Sequence, residues 1–146
     1  MNSVLFLCTG NYYRSRFAEL LFNHLAARSG LRWRAFSRAL ALERGINNIG
    51  PISAYVLEGL KQRGIPSPEN IPIPQQLQEI DLEIAQRVIA LHEPEHRPLI
   101  EKRFPGWLAS VEYWRAPDLD RLHPDQALAY INAQVNELLV ELSESG

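Results

Sequence analysis

Apolar positions in this sequence form two kinds of pattern, which alternate along the chain. Residues 4–7 are a short apolar run, typical of a strand buried on both faces of a parallel sheet. From Phe17 to Leu25 apolar residues recur at helical spacing, and Gly30 is a natural helix end. The same reading predicts strands at 31–37, 87–91 and 110–114, and helices from Gly50-Pro51 to Gly64, over 77–84, from Glu93-Pro94 and from Pro124.

The alternation of strand and helix predicts an α/β fold: a four-stranded parallel sheet flanked by helices, in three layers. Residues 65–74 contain four prolines and are expected to form an extended loop. This loop is not read as a linker, because the chain that follows is too short for a second core. We therefore expect a single domain over residues 1–146.

Composition excludes several classes of protein. The net charge of −2 and the scattered arginines give no electrostatic reason to expect a nucleic-acid or membrane partner. A single cysteine rules out an internal disulfide framework and favours a reducing, cytoplasmic setting. The sequence also lacks a signal-peptide pattern and a long apolar span, and it says nothing about oligomeric state.

The strongest chemical signal is the segment from Cys8 to Ser15, which follows the first apolar run. A strand, a tight loop and a helix start bind anions through backbone N–H groups and the helix dipole. At this position the thiolate form of Cys8 is expected to be favoured, and the planar guanidinium of Arg14 can hold two phosphate oxygens. Gly10 and Asn11 suit unusual loop angles. The alternative is a buried structural cysteine at a strand end.

In this context, Cys-Thr-Gly-Asn-Tyr-Tyr-Arg-Ser resembles the signature loop of the low-molecular-weight protein tyrosine phosphatases. The resemblance implies hydrolysis of a phosphotyrosine protein or small phosphomonoester, without metal or cofactor, through a phosphocysteine intermediate, and the sequence leaves phosphoarginine open as a substrate. Cys8 would be the nucleophile, Arg14 the phosphate clamp and Ser15 the partner of the thiolate. The backbone cradle for the phosphate would be formed by Thr9, Gly10, Asn11, Tyr12 and Tyr13.

The general acid of this family lies on a loop near the C-terminus, and residues 114–120 resemble that loop. The resemblance places the acid on Asp118, with Asp120 as a close competitor because Leu119 stands where the family has proline. Both could instead be aspartates of a solvated turn. Tyr12 and Trp114 are candidates for the aromatic rim of the substrate mouth, or for core packing.

One further serine and three histidines could have either a structural or a functional role. Ser37 matches a family serine that braces the signature loop through the asparagine, or it caps its own backbone. The supporting histidine that the family often carries is missing from the proline-rich segment. His92 and His96 have a spacing that suits a metal, but a solvated helix start is expected. His24 is expected to pack, without a metal role.

Two other functions remain open. An arsenate reductase shares this fold and loop, but a thioredoxin-coupled version needs further cysteines, which this chain lacks. The second alternative function is a module that binds phosphorylated partners without hydrolysing them. It remains open because Leu119 and Arg16 stand where the family usually has proline. Hydrolysis of an aryl phosphate that is lost on Cys8→Ser would separate an enzyme from such a module.

Overall fold

In the computed structural model, which describes residues 1–117 and 123–145, strands and helices alternate along the chain. The four strands are β1 (Asn2–Cys8), β2 (Trp33–Ala39), β3 (Arg87–Ala90) and β4 (Glu112–Tyr113). The helices are α1 (Arg14–Arg28), α2 (Ala54–Gln62), α3 (Glu79–Ile84), α4 (Glu93–Arg103) and α5 (Pro124–Ser145), with short 3₁₀ turns at Leu42–Gly45 and Pro105–Trp107. Within the described ranges, every helix is too short or too polar to span a bilayer.

The sheet has the order β2-β1-β3-β4, and each neighbouring pair is parallel. This confirms the predicted four-stranded parallel sheet flanked by helices. Alternate side chains of β1 enter two different cores: Val4 and Phe6 pack with α1 and α5, whereas Leu5 and Leu7 pack with α3 and α4. Burial on both faces explains why β1 is apolar without interruption.

Several predicted boundaries differ from the structure, and three of them are instructive. Leu31 lies in the turn that ends α1, because its N–H donates to the carbonyl of Ala26, so β2 begins two residues later than predicted. The second helix begins at Ala54 instead of Pro51, because the Ser53 hydroxyl caps it by accepting from the backbone N–H of Tyr55 at 3.2 Å. The fourth strand is only two residues long, and beyond it the pairing with the end of β3 continues as single hydrogen bonds.

Candidate active site

The signature loop, residues 8–15, joins the carboxyl end of β1 to the first turn of α1. A crevice beyond the carboxyl ends of the strands is where open α/β sheets bind ligands. The chain that follows β2 fixes the start of the loop: Leu40 N donates to Cys8 O and Ala41 N donates to Thr9 O, both at 2.9 Å. The loop is therefore held by the neighbouring strand on one side and by its own helix on the other.

The thiol of Cys8 lies against a hydroxyl group. Its Sγ is 2.9 Å from Ser15 Oγ, and the residue is 3% exposed. Ser15 sits in the first turn of α1 and is fully buried. The sulfur thus has a polar partner that could donate a hydrogen bond to a thiolate, unlike a cysteine packed only among aliphatic side chains.

Asn11 organises the loop through its backbone and its side chain. Its φ of 52° is left-handed, whereas Gly10 has no positive φ, so the unusual angle expected at either residue falls on the asparagine. Asn11 Nδ2 donates to Ser15 Oγ at 3.1 Å and to Ser37 Oγ at 2.9 Å. Its Oδ1 accepts from the backbone N–H of Gln75 at 3.0 Å. All three polar groups of this buried amide are therefore satisfied.

These contacts show how the loop is supported without the histidine that the sequence lacks. The backbone of Gln75, on the far side of the proline-rich segment, contacts Asn11 directly. Ser37 lies at the end of β2, accepts from Asn11 and donates to Glu19 Oε1 at 2.5 Å. A hydrogen-bonded chain thus runs from the sulfur of Cys8 through Ser15, Asn11 and Ser37 to a carboxylate on α1.

Arg14 is buried and paired with a carboxylate that the sequence analysis missed. Its Nη2 lies 2.8 Å from Glu95 Oε2, and its Nη1 lies 3.2 Å from Glu95 Oε1. Nη1 also donates to the carbonyl of Ala116 at 3.1 Å. The side chain of Arg14 is 3% exposed and that of Glu95 is 30% exposed. Glu95 thus occupies both ends of the fork that was expected to hold phosphate.

Glu95 is held as a carboxylate by its surroundings. The Thr9 hydroxyl donates to its Oε2, so the same carboxylate also contacts the signature loop directly. Burial raises the pKa of this group, but contacts with His96, Arg14 and Thr9 outweigh that effect and keep the pKa well below its usual range. The position of Glu95, shortly after the carboxyl end of β3, is the sequence feature that could have identified it as a residue of the site.

His96 is fully buried beside Glu95, which makes the predicted solvated helix start wrong for this residue. Its Nδ1 accepts from the backbone N–H of His92 at 2.9 Å, which leaves the proton on Nε2. Nε2 lies 3.3 Å from Glu95 Oε2. Burial lowers the pKa of His96 to about 4, so the imidazole is neutral at physiological pH. In the part of the chain that the structure describes, no group of three or more histidine, cysteine or acidic side chains is arranged to hold a metal ion.

The two predicted rim aromatics lie in different places. Tyr12 is partly buried in the signature loop, and its hydroxyl donates to the carbonyl of Ile49 at 2.5 Å. Trp114 packs against Phe6, with ring centroids 5.7 Å apart, and borders a small cavity beside α5. The indole ring of Trp114 is partly buried against the core, which favours the packing alternative, and the rim role of both aromatics stays a prediction.

The candidate general acids, Asp118 and Asp120, lie outside the described residues. The chain leading to them is described, and it reaches the site: Ala116 is fully buried, and its carbonyl accepts from Arg14. Tyr13 is also buried, and its hydroxyl contacts the carbonyl of Pro124 at the start of α5. The described residues on either side of positions 118–122 thus contact the signature loop.

Replacing Glu95 by glutamine is expected to lower the free energy of unfolding of the phosphate-free protein and to tighten the binding of inorganic phosphate. The buried guanidinium of Arg14 would lose its charged partner, which costs about 1–3 kcal/mol after allowance for the partial exposure of Glu95. A phosphate dianion would no longer meet a carboxylate at the fork, so added phosphate should stabilise the variant more than the wild type. Urea unfolding with and without phosphate measures both effects.

Glu93→Gln is the matched control, since Glu93 lies two residues earlier on α4 and pairs with Arg97 and Arg115. These partners are about half and two-thirds exposed, so little stability should be lost. Equal stabilisation of Glu95→Gln and wild type by phosphate would show that Glu95 does not compete with the anion.

Comparisons with known proteins agree with this arrangement. The family model described as "Low molecular weight phosphotyrosine protein phosphatase" matches residues 3–113. The fold is similar to YfkJ from Bacillus subtilis, with 24% identity, a TM-score of 0.84, and coverage of 99% of this chain and 96% of that one. It is also similar to the low molecular weight protein tyrosine phosphatase from T. tengcongensis, with 22% identity, a TM-score of 0.79, and coverage of 97% and 99%.

A third similar structure is the YwlE arginine phosphatase from Geobacillus stearothermophilus, with 20% identity, a TM-score of 0.74, and coverage of 99% of this chain and 95% of that one. A comparison with curated proteins finds no match. The family model spans well over half of the sequence and includes the whole signature loop. The chain belongs to the low molecular weight phosphotyrosine protein phosphatase family, which indicates a phosphatase with a phosphorylated substrate.

Proposed function

We propose that this protein hydrolyses phosphomonoesters through a phosphocysteine on Cys8, with phosphotyrosine in proteins as the substrate. The observation that carries the proposal is the 2.9 Å contact between Cys8 Sγ and Ser15 Oγ at the head of α1. A hydroxyl beside the sulfur favours the thiolate as nucleophile and later as leaving group. Membership of the family supports the same chemistry.

In the first step, the Cys8 thiolate attacks phosphorus and the bond from phosphorus to the ester oxygen breaks. The backbone amides of residues 9–13 and the guanidinium of Arg14 stabilise the negative charge on the phosphoryl oxygens. Asp118 donates a proton to the leaving oxygen, which departs as a neutral phenol. Because Glu95 holds the Arg14 fork in the free protein, the incoming phosphate has to share or displace that pairing.

In the second step, water attacks phosphorus and the phosphorus–sulfur bond breaks. The carboxylate of Asp118 accepts the proton of the water, and the electron pair returns to sulfur. The Ser15 hydroxyl donates to the departing thiolate. The amide of Asn11 already donates to Ser15 Oγ, so the hydroxyl proton is available for the sulfur.

The choice of substrate is tested by comparing three substrates on one preparation. These are a phosphotyrosyl peptide, a phosphoarginyl peptide of the same sequence, and a small aryl phosphate. The description of the family model supports phosphotyrosine, whereas one similar structure is an arginine phosphatase. We expect the highest kcat/KM on the phosphotyrosyl peptide, and trapping of labelled phosphate on Cys8 by rapid acid quench. A higher kcat/KM on the phosphoarginyl peptide would overturn the substrate assignment without affecting the phosphocysteine.

The proton donor is assigned by a pH–rate profile of Asp118→Asn and Asp120→Asn on the aryl phosphate. We expect Asp118→Asn to reduce kcat by roughly 10²–10⁴-fold and to remove the basic limb of the profile, because no acid remains to protonate the leaving oxygen. Asp120→Asn should keep both limbs. The reverse pattern would move the role to Asp120.

A further inference from the structure

A second cavity, of about 410 Å³, lies apart from the signature loop at the edge of the sheet. Its walls come from α1, from the edge strand β2 and from the proline-rich segment. The volume is within the range of sites for small molecules. Prolines at positions 66, 68 and 72 restrict the backbone of the outer wall. The wall would therefore lose little conformational entropy when a ligand binds.

Three of the six polar residues that line this cavity are basic. Arg16, Arg34 and His24 line it together with one carboxylate, Glu19, while Leu20 and Ile71 provide apolar surface. Arg34 is exposed and makes no salt bridge with any described residue. A cavity with two guanidinium groups and apolar walls suits an anion attached to a compact apolar group.

Arg16 is the observation that points to a ligand. It is 5% exposed, and among the described residues it has no salt bridge and no hydrogen-bond partner for its Nε. Its Nη2 donates only to the carbonyls of Pro51 and Pro72. A buried guanidinium without a carboxylate in contact is costly, because the nearby charge of Glu19 offsets only part of the hydration that Arg16 loses. Burial accordingly lowers the pKa of Arg16.

We propose that this cavity binds a small organic anion, a carboxylate or phosphate on a compact apolar group, through Arg16 and Arg34. The anion would place a negative charge in direct contact with Arg16, and the apolar group would lie against Leu20 and Ile71. The site is separate from the signature loop, since none of residues 8–15 lines the cavity. It is nevertheless linked to that loop, because Glu19 lines the cavity and accepts from Ser37, which contacts Asn11.

Benzoate is a suitable probe, with benzyl alcohol as its neutral counterpart, and both are titrated without added phosphate, because phosphate would compete for Arg16 and Arg34. We expect ¹H–¹⁵N shifts in the wild-type protein to change at residues such as Asn23, His24 and Ile71 on adding benzoate. Arg34→Ala should weaken benzoate binding by about threefold to fivefold. Arg32→Ala removes an exposed arginine that does not line the cavity, and should leave the affinity unchanged.

Arg16→Gln should weaken benzoate binding by at least about tenfold, because it removes the buried charge. Arg34→Ala keeps the test informative if the buried variant does not fold, since Arg34 is exposed. Equal affinity of Arg34→Ala and Arg32→Ala, shifts confined to residues 8–15, or equally tight binding of benzyl alcohol would each overturn the proposal. Because the readout is binding, failure here would leave the proposed hydrolysis untouched.

Discussion

Replacement of Cys8 by serine is expected to reduce hydrolysis of an aryl phosphate by roughly 1,000-fold or more. A serine hydroxyl is a much weaker nucleophile than a thiolate at neutral pH, and the loop contains no neighbouring base to activate it. The substitution differs by one atom, and the buried hydrogen bond with Ser15 Oγ can still form. The loop should therefore keep its shape, and the loss should appear in kcat measured at saturating substrate.

Ser15→Ala is the matched control for this experiment. It leaves the sulfur in place but removes its hydroxyl partner, and it leaves the amide of Asn11 with one acceptor fewer. We expect an intermediate loss, of roughly 10- to 100-fold, with accumulation of the phosphocysteine because the thiolate becomes a poorer leaving group. If wild type and Cys8→Ser are equally inactive while both bind a phosphotyrosyl peptide, the protein is a binding module and the catalytic proposal fails.

Replacement of His96 by glutamine is expected to flatten the dependence of stability on pH between about 6.5 and 4. The imidazole has a pKa of about 4 in the folded protein and about 6.5 when unfolded. Between these values the unfolded chain binds one proton more than the folded protein. The stabilising contribution of the neutral His96 imidazole is therefore complete above pH 6.5 and is lost as the pH falls toward 4. From pH 7 to pH 5 the wild type should lose about 2 kcal/mol through this group.

Urea unfolding at pH 7, 6 and 5 measures this slope. The exposed His123 gives the matched control, because His123→Gln removes an imidazole without opening a buried site. The pH window also separates His96 from its neighbour: Glu95 has a depressed pKa, and its contribution is lost only below about pH 4.3. A His96→Gln variant with the wild-type slope would show that the buried imidazole is not the source.

The sequence predicted the sheet well because its signals are local. β1 is an uninterrupted apolar run since it is buried on both faces, and its side chains alternate between two cores. The boundaries that were wrong depend on single hydrogen bonds. Ser53 caps α2 although Pro51 is the more conspicuous start signal, and the Leu31 amide closes α1 instead of opening β2. Such choices between adjacent residues are decided by local capping hydrogen bonds, which the apolar pattern does not encode.

Trp114 and His96 show a second limit of sequence reasoning. Trp114 directly follows β4 and His96 lies near the start of α4, and both could have faced solvent on pattern alone. The structure places the indole ring against Phe6 and the imidazole in a fully buried position beside Glu95. Amphipathic side chains of this kind fit a core or a rim equally well, so only the packing around them decides.

The sequence by itself determined the chemistry of the signature loop, because Cys8, Asn11, Arg14 and Ser15 lie within eight consecutive residues between a strand and a helix. The tertiary structure alone decided which groups meet that loop. Ser37, Gln75 and Glu95 are distant in sequence. Ser37 lies near the end of β2, and Gln75 accepts a hydrogen bond from Ala39 at that end. Glu95 follows β3, and the order β2-β1-β3-β4 places both strand ends beside the end of β1. No local pattern encodes that order, since it depends on which long-range strand pairs bury the most apolar surface.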